Sequence, residues 1–350
     1  MELRDMLHVS MYCSALSPCG KYLAVGNNYG YICMFNLSSA LSPNPAERSE
    51  KPVAVIKAHP GPVHALQTTQ KYLISAGEGP ITGWKWSDIL NNKPKKSWTL
   101  DNQTKASSTS LAGKDTQISS YNCLCYKAKD DILYSGGDDN IAVQWDLNTG
   151  TCVESYNQHT EYIHDIDLLG DGIVTASEDG SVKIWDSRSN SCTGTFLPHA
   201  NSQLNRPEVG KWVSCVTADP NGEWLAFGGG PHTSLWHVKS SSLVSVLDVE
   251  NSEGNDSCFT PNTVRYFQDE IIAGGNQPIL HRWHVNGQKK ASTPCNINNI
   301  FSISCKSSDK GNLLLPMVIT GSSWKMDVFT NLGYLGMTLS LVPCCKSEFC

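Results

Sequence analysis

This chain of 350 residues lacks the features that many function classes require. No run of 18 apolar residues occurs, so no membrane-spanning helix and no membrane partner are expected. The opening MELRDMLHVS has no apolar core of the kind a secretory leader needs. Positive charge is short: 27 Lys and Arg face 33 Asp and Glu, a formal net charge of −6. That balance gives no basic footprint for the nucleic-acid backbone. The 14 Cys include no C-x-x-C pair, which leaves a zinc site without support. Most of them stand singly in strand-like runs, as do Cys33, Cys123, Cys125, Cys215 and Cys305. They are expected to pack as small hydrophobes rather than to form disulfides. Neither G-x-x-x-x-G-K-[ST] nor G-x-S-x-G is present, and helical periodicity appears over no long stretch. No cofactor, metal or catalytic group is expected.

What is present is a repeat. Seven strand-like runs end on an aromatic residue: Phe35, Trp84, Trp145, Trp185, Trp236, Trp283 and Phe329. They recur roughly every 40 to 60 residues. A four-stranded blade ending its third strand on Trp-Asp has a period of about 40–45 residues. Gly and Pro at the turns, as in SPCG, separate the runs. In IAVQW, Ile141, Val143 and Trp145 share one face, the period of two that marks a strand. The pattern predicts an all-β chain, a seven-bladed WD40 β-propeller with four antiparallel strands (a to d) per blade. The blades are expected at about 8–57, 62–100, 119–156, 162–197, 212–249, 262–292 and 299–341. They would form one unit over 1–341, with 342–350 a disordered tail. YLGMTLSL, directly after the seventh aromatic run, supplies the last blade's outer strand; the alternative is pairing by residues near Leu3 to Leu7.

Two segments align without a gap on H-x-x-x-[VI]-H-x-[LI], starting at His59 and His159. In WD40 blades the first His joins a hydroxyl on strand b, an Asp in the b–c turn and the Trp indole. Blade four has every part: His159, Thr175, Asp179 and Trp185. Blade three has Asp139 and Trp145 but no such His, and Glu78 replaces the Asp in blade two. A His, a hydroxyl and an Asp also suggest a catalytic triad. A triad would not recur in pieces around a ring, so a structural hydrogen-bond network is the reading taken here.

Other signals are weaker. The glycines of GGGP, Gly228 to Gly230, lead into a strand rather than a helix, so they offer no phosphate a helix N-terminus. Lys93, Lys95 and Lys96 form a short basic cluster that serves either a solvated loop or a nuclear-import signal. Trp185-Asp186-Ser187-Arg188 fits W-D-x-R. That box docks some WD40 proteins on the adaptor of cullin-RING ubiquitin ligases, which makes Asp186 and Arg188 possible partner contacts. The bland reading pairs Arg188 with a neighbouring Asp.

SPCGKYLAVGNNYGYICMFNLSSALS (17–42) and DVFTNLGY (327–334) are more specific than generic blades. With AHPGPVHAL, YLISAGEGPITGWKW, HTEYIHDI and GGGPHTSLWHV they resemble the family of sixth subunits of the THO complex. The likeness runs over nearly the whole chain. It implies a nuclear scaffold rather than an enzyme. It also implies the other THO subunits as partners, a place in a larger oligomer, and a role coupling transcription and mRNA processing to export within TREX. RNA is then met only through partners, which the acidic charge suits. Two departures stand out: the N-terminus is shorter than the family pattern, and VPCCKSEFC extends past its usual ending. Partner contacts are expected on the loops 38–52, 88–117 and 199–210.

Overall fold

The computed structural model describes residues 8–101, 120–249, 258–305 and 317–341. Within them, seven four-stranded sheets succeed one another along the chain. They occupy residues 11–57, 63–100, 121–156, 163–196, 213–246, 261–294 and 300–340. Each sheet is an antiparallel meander in which sequence neighbours pair. Strand a of each blade packs on strand a of the next, and the first blade's strand a packs on the seventh's. The result is a closed seven-bladed β-propeller around a central channel.

Burial differs by strand position. Strand b is enclosed on both faces; all six residues of Gly172–Ser177 are buried. Strand d is the outer edge, and in Ala54–Lys57 buried and exposed residues alternate. Strand c is an inner strand, and there the expected period of two fails. Ala142, Val143, Gln144 and Trp145 are all buried, while Ile141 lies ahead of the strand and is only partly covered. A strand with blades on both faces has no solvent side, so alternation fades.

The core is divided into seven clusters, one per seam between adjoining blades. Each strand-c aromatic lies in the seam with the preceding blade. Trp84 packs with Ile32 and Met34 of blade one, Trp185 with Tyr134 and Tyr156 of blade three, and Phe35 with Val318 and Val328 of blade seven. The repeat is therefore a set of wedges. Each wedge buries a large apolar surface between two sheets that could not cover their own faces.

Blade seven takes all four strands from the C-terminal part of the chain, with Tyr334–Ser340 paired to Lys325–Asn331. Among the described residues the ring closes by packing and side-chain bonds, not by strand exchange. Ser14 Oγ lies 2.8 Å from Ser304 Oγ and 3.3 Å from Ser302 Oγ across that seam. The alternative near Leu3 to Leu7 and the tail 342–350 lie outside the described residues.

Two of the expected contact loops are partly ordered by packing. The segment 38–52 overlaps a one-turn helix, Leu37–Ala40, capped by the Asn36 side chain and burying Leu37 and Ala40. The segment 199–210 is more than a polar loop: a 3-10 turn, Pro198–Ala200, begins it, and Leu204 and Arg206 are buried. The segment 88–117 follows the start of a short helix, Trp86–Leu90; its part beyond 101 lies outside the described residues.

Candidate functional site

The polar set of blade four is brought together. His159 Nδ1 is 2.8 Å from Asp179 Oδ2, and Nε2 is 2.7 Å from Thr175 Oγ1. The Trp185 indole donates to the same Thr175 oxygen at 2.9 Å. With His159 donating from Nδ1, Thr175 donates to Nε2 while accepting from the indole, so the chain runs in one direction from Trp185 to Asp179. Gly180, at φ +86°, lets the tight b–c turn bring Asp179 to the ring. Ser181, absent from the expected set, donates to Asp179 Oδ1 at 2.5 Å. Burial pushes the Asp179 carboxyl up, but the bonds from His159 and Ser181 outweigh it and hold the group well below the usual carboxylate range.

This geometry does not suit a nucleophile. Thr175 is fully buried, and its oxygen is shared by the imidazole and the indole. A substrate carbonyl has no way to reach it.

The other blades carry reduced versions. In blade two, His59 Nε2 and the Trp84 indole both meet Ser75 Oγ, at 2.9 and 3.0 Å, and Nδ1 faces the Glu78 backbone oxygen at 3.2 Å rather than a carboxylate. In blade three the Trp145 indole donates to Ser135, and Asp139 accepts from the Ile141 amide at 3.2 Å. In blade five the Trp236 indole turns to Ser234 on its own strand. In blade six the residue at the hydroxyl position is Ala273, and Trp283 Nε1 is buried with no partner among the described residues.

Arg188 follows the bland expectation. Its guanidinium donates to Asp171 at 2.7 Å, and its amide to the Asp186 carboxylate at 2.9 Å. Both side chains of the Arg188–Asp171 pair are exposed, so water screens the pair and it adds little to stability. In the basic cluster, Lys95 lies 4.0 Å from Asp88, and Lys96 opens strand Lys96–Leu100 instead of sitting in a loop.

Two features were not foreseen from the sequence. Arg206 donates to the carbonyl oxygens of Gly229, Gly230, Pro231 and Phe259, at 2.6 to 3.2 Å. The glycine stretch thus presents carbonyls to a cation, the reverse of a phosphate cradle. The second is a charged lining in the central channel, which encloses about 940 Å³. Asp165 and Arg265 line it 3.5 Å apart, and Asp165 also accepts from the Val216 and Ile166 amides at 3.1 and 3.0 Å. On the same strand, Asp167 accepts from Thr217 Oγ1 and the Ala218 amide, each at 3.0 Å. The available signal was charge within strand a, as in HDID and TVRYF. Among the described residues no group of three or more His, Cys, Asp or Glu is placed to hold a metal ion.

The model of the WD domain, G-beta repeat family matches residues 150–186. The crystal structure of RRP9 WD40 repeats superposes with a TM-score of 0.68 at 18% identity, covering 89% of this chain and 88% of that one. That likeness concerns the fold. THO complex subunit 6 homolog of Danio rerio is 37% identical over 339 residues, 96% of this chain and 98% of that protein. THO complex subunit 6 of Homo sapiens is 33% identical over 336 residues, 95% of this chain and 93% of that protein. The likeness to these relatives spans the whole ring rather than single blades, and the chain belongs to the THO complex subunit 6 family.

Proposed function

We propose that the protein is a non-enzymatic scaffold subunit of a nuclear THO complex. It holds other THO subunits in place through protein contacts and promotes their assembly into a larger oligomer. Through that assembly it contributes to coupling transcription and mRNA processing to mRNA export within TREX, and it meets RNA only through its partners. The observation that carries this reading is the match to THO complex subunit 6 relatives along 95% of the chain. The physical form agrees. A closed propeller offers two loop faces and a rim on a rigid frame, which suits several fixed partners. The one constellation that resembles a catalytic triad is buried and fully engaged.

The ubiquitin-ligase reading rests on Arg188, which is exposed but held by Asp171 within its own blade. One experiment separates the two. The tagged protein is purified from RNase-treated nuclear extract and its companions identified. Recovery of the other THO subunits in near-equal amounts supports the scaffold. Recovery of a ligase adaptor that disappears with Arg188→Ala supports the alternative, and absence of THO subunits contradicts the proposal.

A further inference from the structure

Blade two inverts a size pattern that blades one, four, five and six share. In those blades the residue before the strand-c aromatic is large and its partner on strand d is small, as with Ile184 and Gly194 or Leu235 and Ser245. Blade two pairs Gly83 with Trp98. The indole lies on the Gly83 backbone, where a Cβ would stand 2.1 Å from its Cε2 atom. Tyr72 meets it edge to face at 5.6 Å. Trp98 is thus an additional aromatic, carried on the rim strand. Both rings pack on the seam with blade three and stay partly open to solvent.

Lysines gather at this end of the blade. Lys85 follows Gly83 by two on strand c, so it shares the face that Trp98 covers. Lys96 opens strand d two residues before Trp98. The Trp86 amide donates to the Lys71 carbonyl at 3.1 Å, which sets the Lys71 backbone beside Lys85. Lys93 and Lys95 lie between helix Trp86–Leu90 and strand d. All five are exposed. Their one ion pair among the described residues is Lys95 with Asp88, a loose 4.0 Å. On a chain of net charge −6 this is a local positive surface around an open indole. An aromatic anchor with one polar edge, set among charges, is the composition of a protein contact.

The charge calls for an anionic partner. A phosphate backbone carries a charge at every nucleotide and tracks a continuous basic groove. Here the basic surface stops at blade three, whose turns at the same end carry Asp130, Asp131 and Asp146. A short peptide can keep its acids over blade two alone.

We propose that this rim of blade two docks a short acidic peptide segment of a partner protein, its carboxylates over Lys85 and Lys96 and an apolar side chain against Trp98. That the partner is a protein rests on the scaffold reading. The two fail separately: peptide binding reads this rim alone, while copurification reads membership of the assembly.

The test uses the full chain and a tetramethylrhodamine-labelled decapeptide of glutamate and glycine with one central leucine, followed by fluorescence anisotropy. Saturable binding is expected, weakened by added salt. Glutamine in place of every glutamate should abolish it. Lys85→Glu with Lys96→Glu should weaken binding at least tenfold, and Trp98→Ala at least threefold. Lys211→Glu with Lys239→Glu makes the same charge change at exposed positions of blade five and should leave binding within twofold. Circular dichroism checks folding; if Trp98→Ala does not fold, the lysine pair carries the result. No saturable binding, equal binding of the glutamine peptide, or equal effects of the two lysine pairs would overturn the proposal. So would a folded Trp98→Ala that binds like the parent. So would a uridine decanucleotide whose binding is lost with Lys85→Glu and Lys96→Glu and which the acidic peptide fails to displace.

Discussion

At the scale of single residues, the blade-four network makes a stability claim. Asp179→Ala leaves the buried His159 without its Nδ1 partner and should cost about 1–3 kcal/mol, read as a lower midpoint in thermal unfolding. The pH dependence has a definite sign. The Asp179 carboxyl titrates lower when folded than unfolded, so its contribution is present above the unfolded carboxylate value and is lost as pH falls through the folded one. The gap in midpoint between parent and variant should persist at pH 5 and narrow below about pH 4. Blade six offers the converse. Ala273 stands where Ser75, Ser135 and Thr175 meet their indoles, and Trp283 Nε1 is left over. Ala273→Ser should supply the acceptor and raise stability by about 1 kcal/mol in urea unfolding. An unchanged midpoint would place the indole elsewhere. The parts of the blade-four set were legible because the repeat fixes their spacing: His159 ahead of strand a, Asp179 six residues before Trp185. Ser181 was not, since a serine in a tight turn carries no signal of its own.

Strands and loops show where sequence reading weakens. The seven aromatic-ended runs located the blades because each aromatic fills one seam, a demand every blade shares. The insertion 199–210 has no counterpart in other blades, so polarity was the only guide and nothing singled out Arg206. Its role comes from long-range partners: carbonyls of the Gly228-to-Pro231 turn and of Phe259 in the next blade. Arg206→Met should leave these oxygens without their shared donor and cost at least about 1–3 kcal/mol. Arg206→Lys should recover little, because a single ammonium cannot reach four acceptors arranged for a fork. Hydrogen exchange over 199–210 should rise in both variants; unchanged protection would mean the insertion is held by Leu204 alone.

For the whole molecule, ring closure sets the limit on truncation. The last strand, Tyr334–Ser340, is integral to blade seven, and Leu339 and Leu341 reach into the seam with blade one. A chain ending at Asn331 should therefore lose the ring as a unit, seen as loss of near-ultraviolet circular dichroism and a larger, broader elution profile. A native spectrum would mean the seam closes without that strand. Under the proposed function, this frame is a stoichiometric member of a THO assembly. Co-expression with the other THO subunits, followed by size-exclusion chromatography with light scattering, tests it directly. One co-eluting species that contains this chain in equal amount is expected, with a smaller assembly when the chain is omitted. Elution of the chain alone, beside an assembly of unchanged mass, would contradict it.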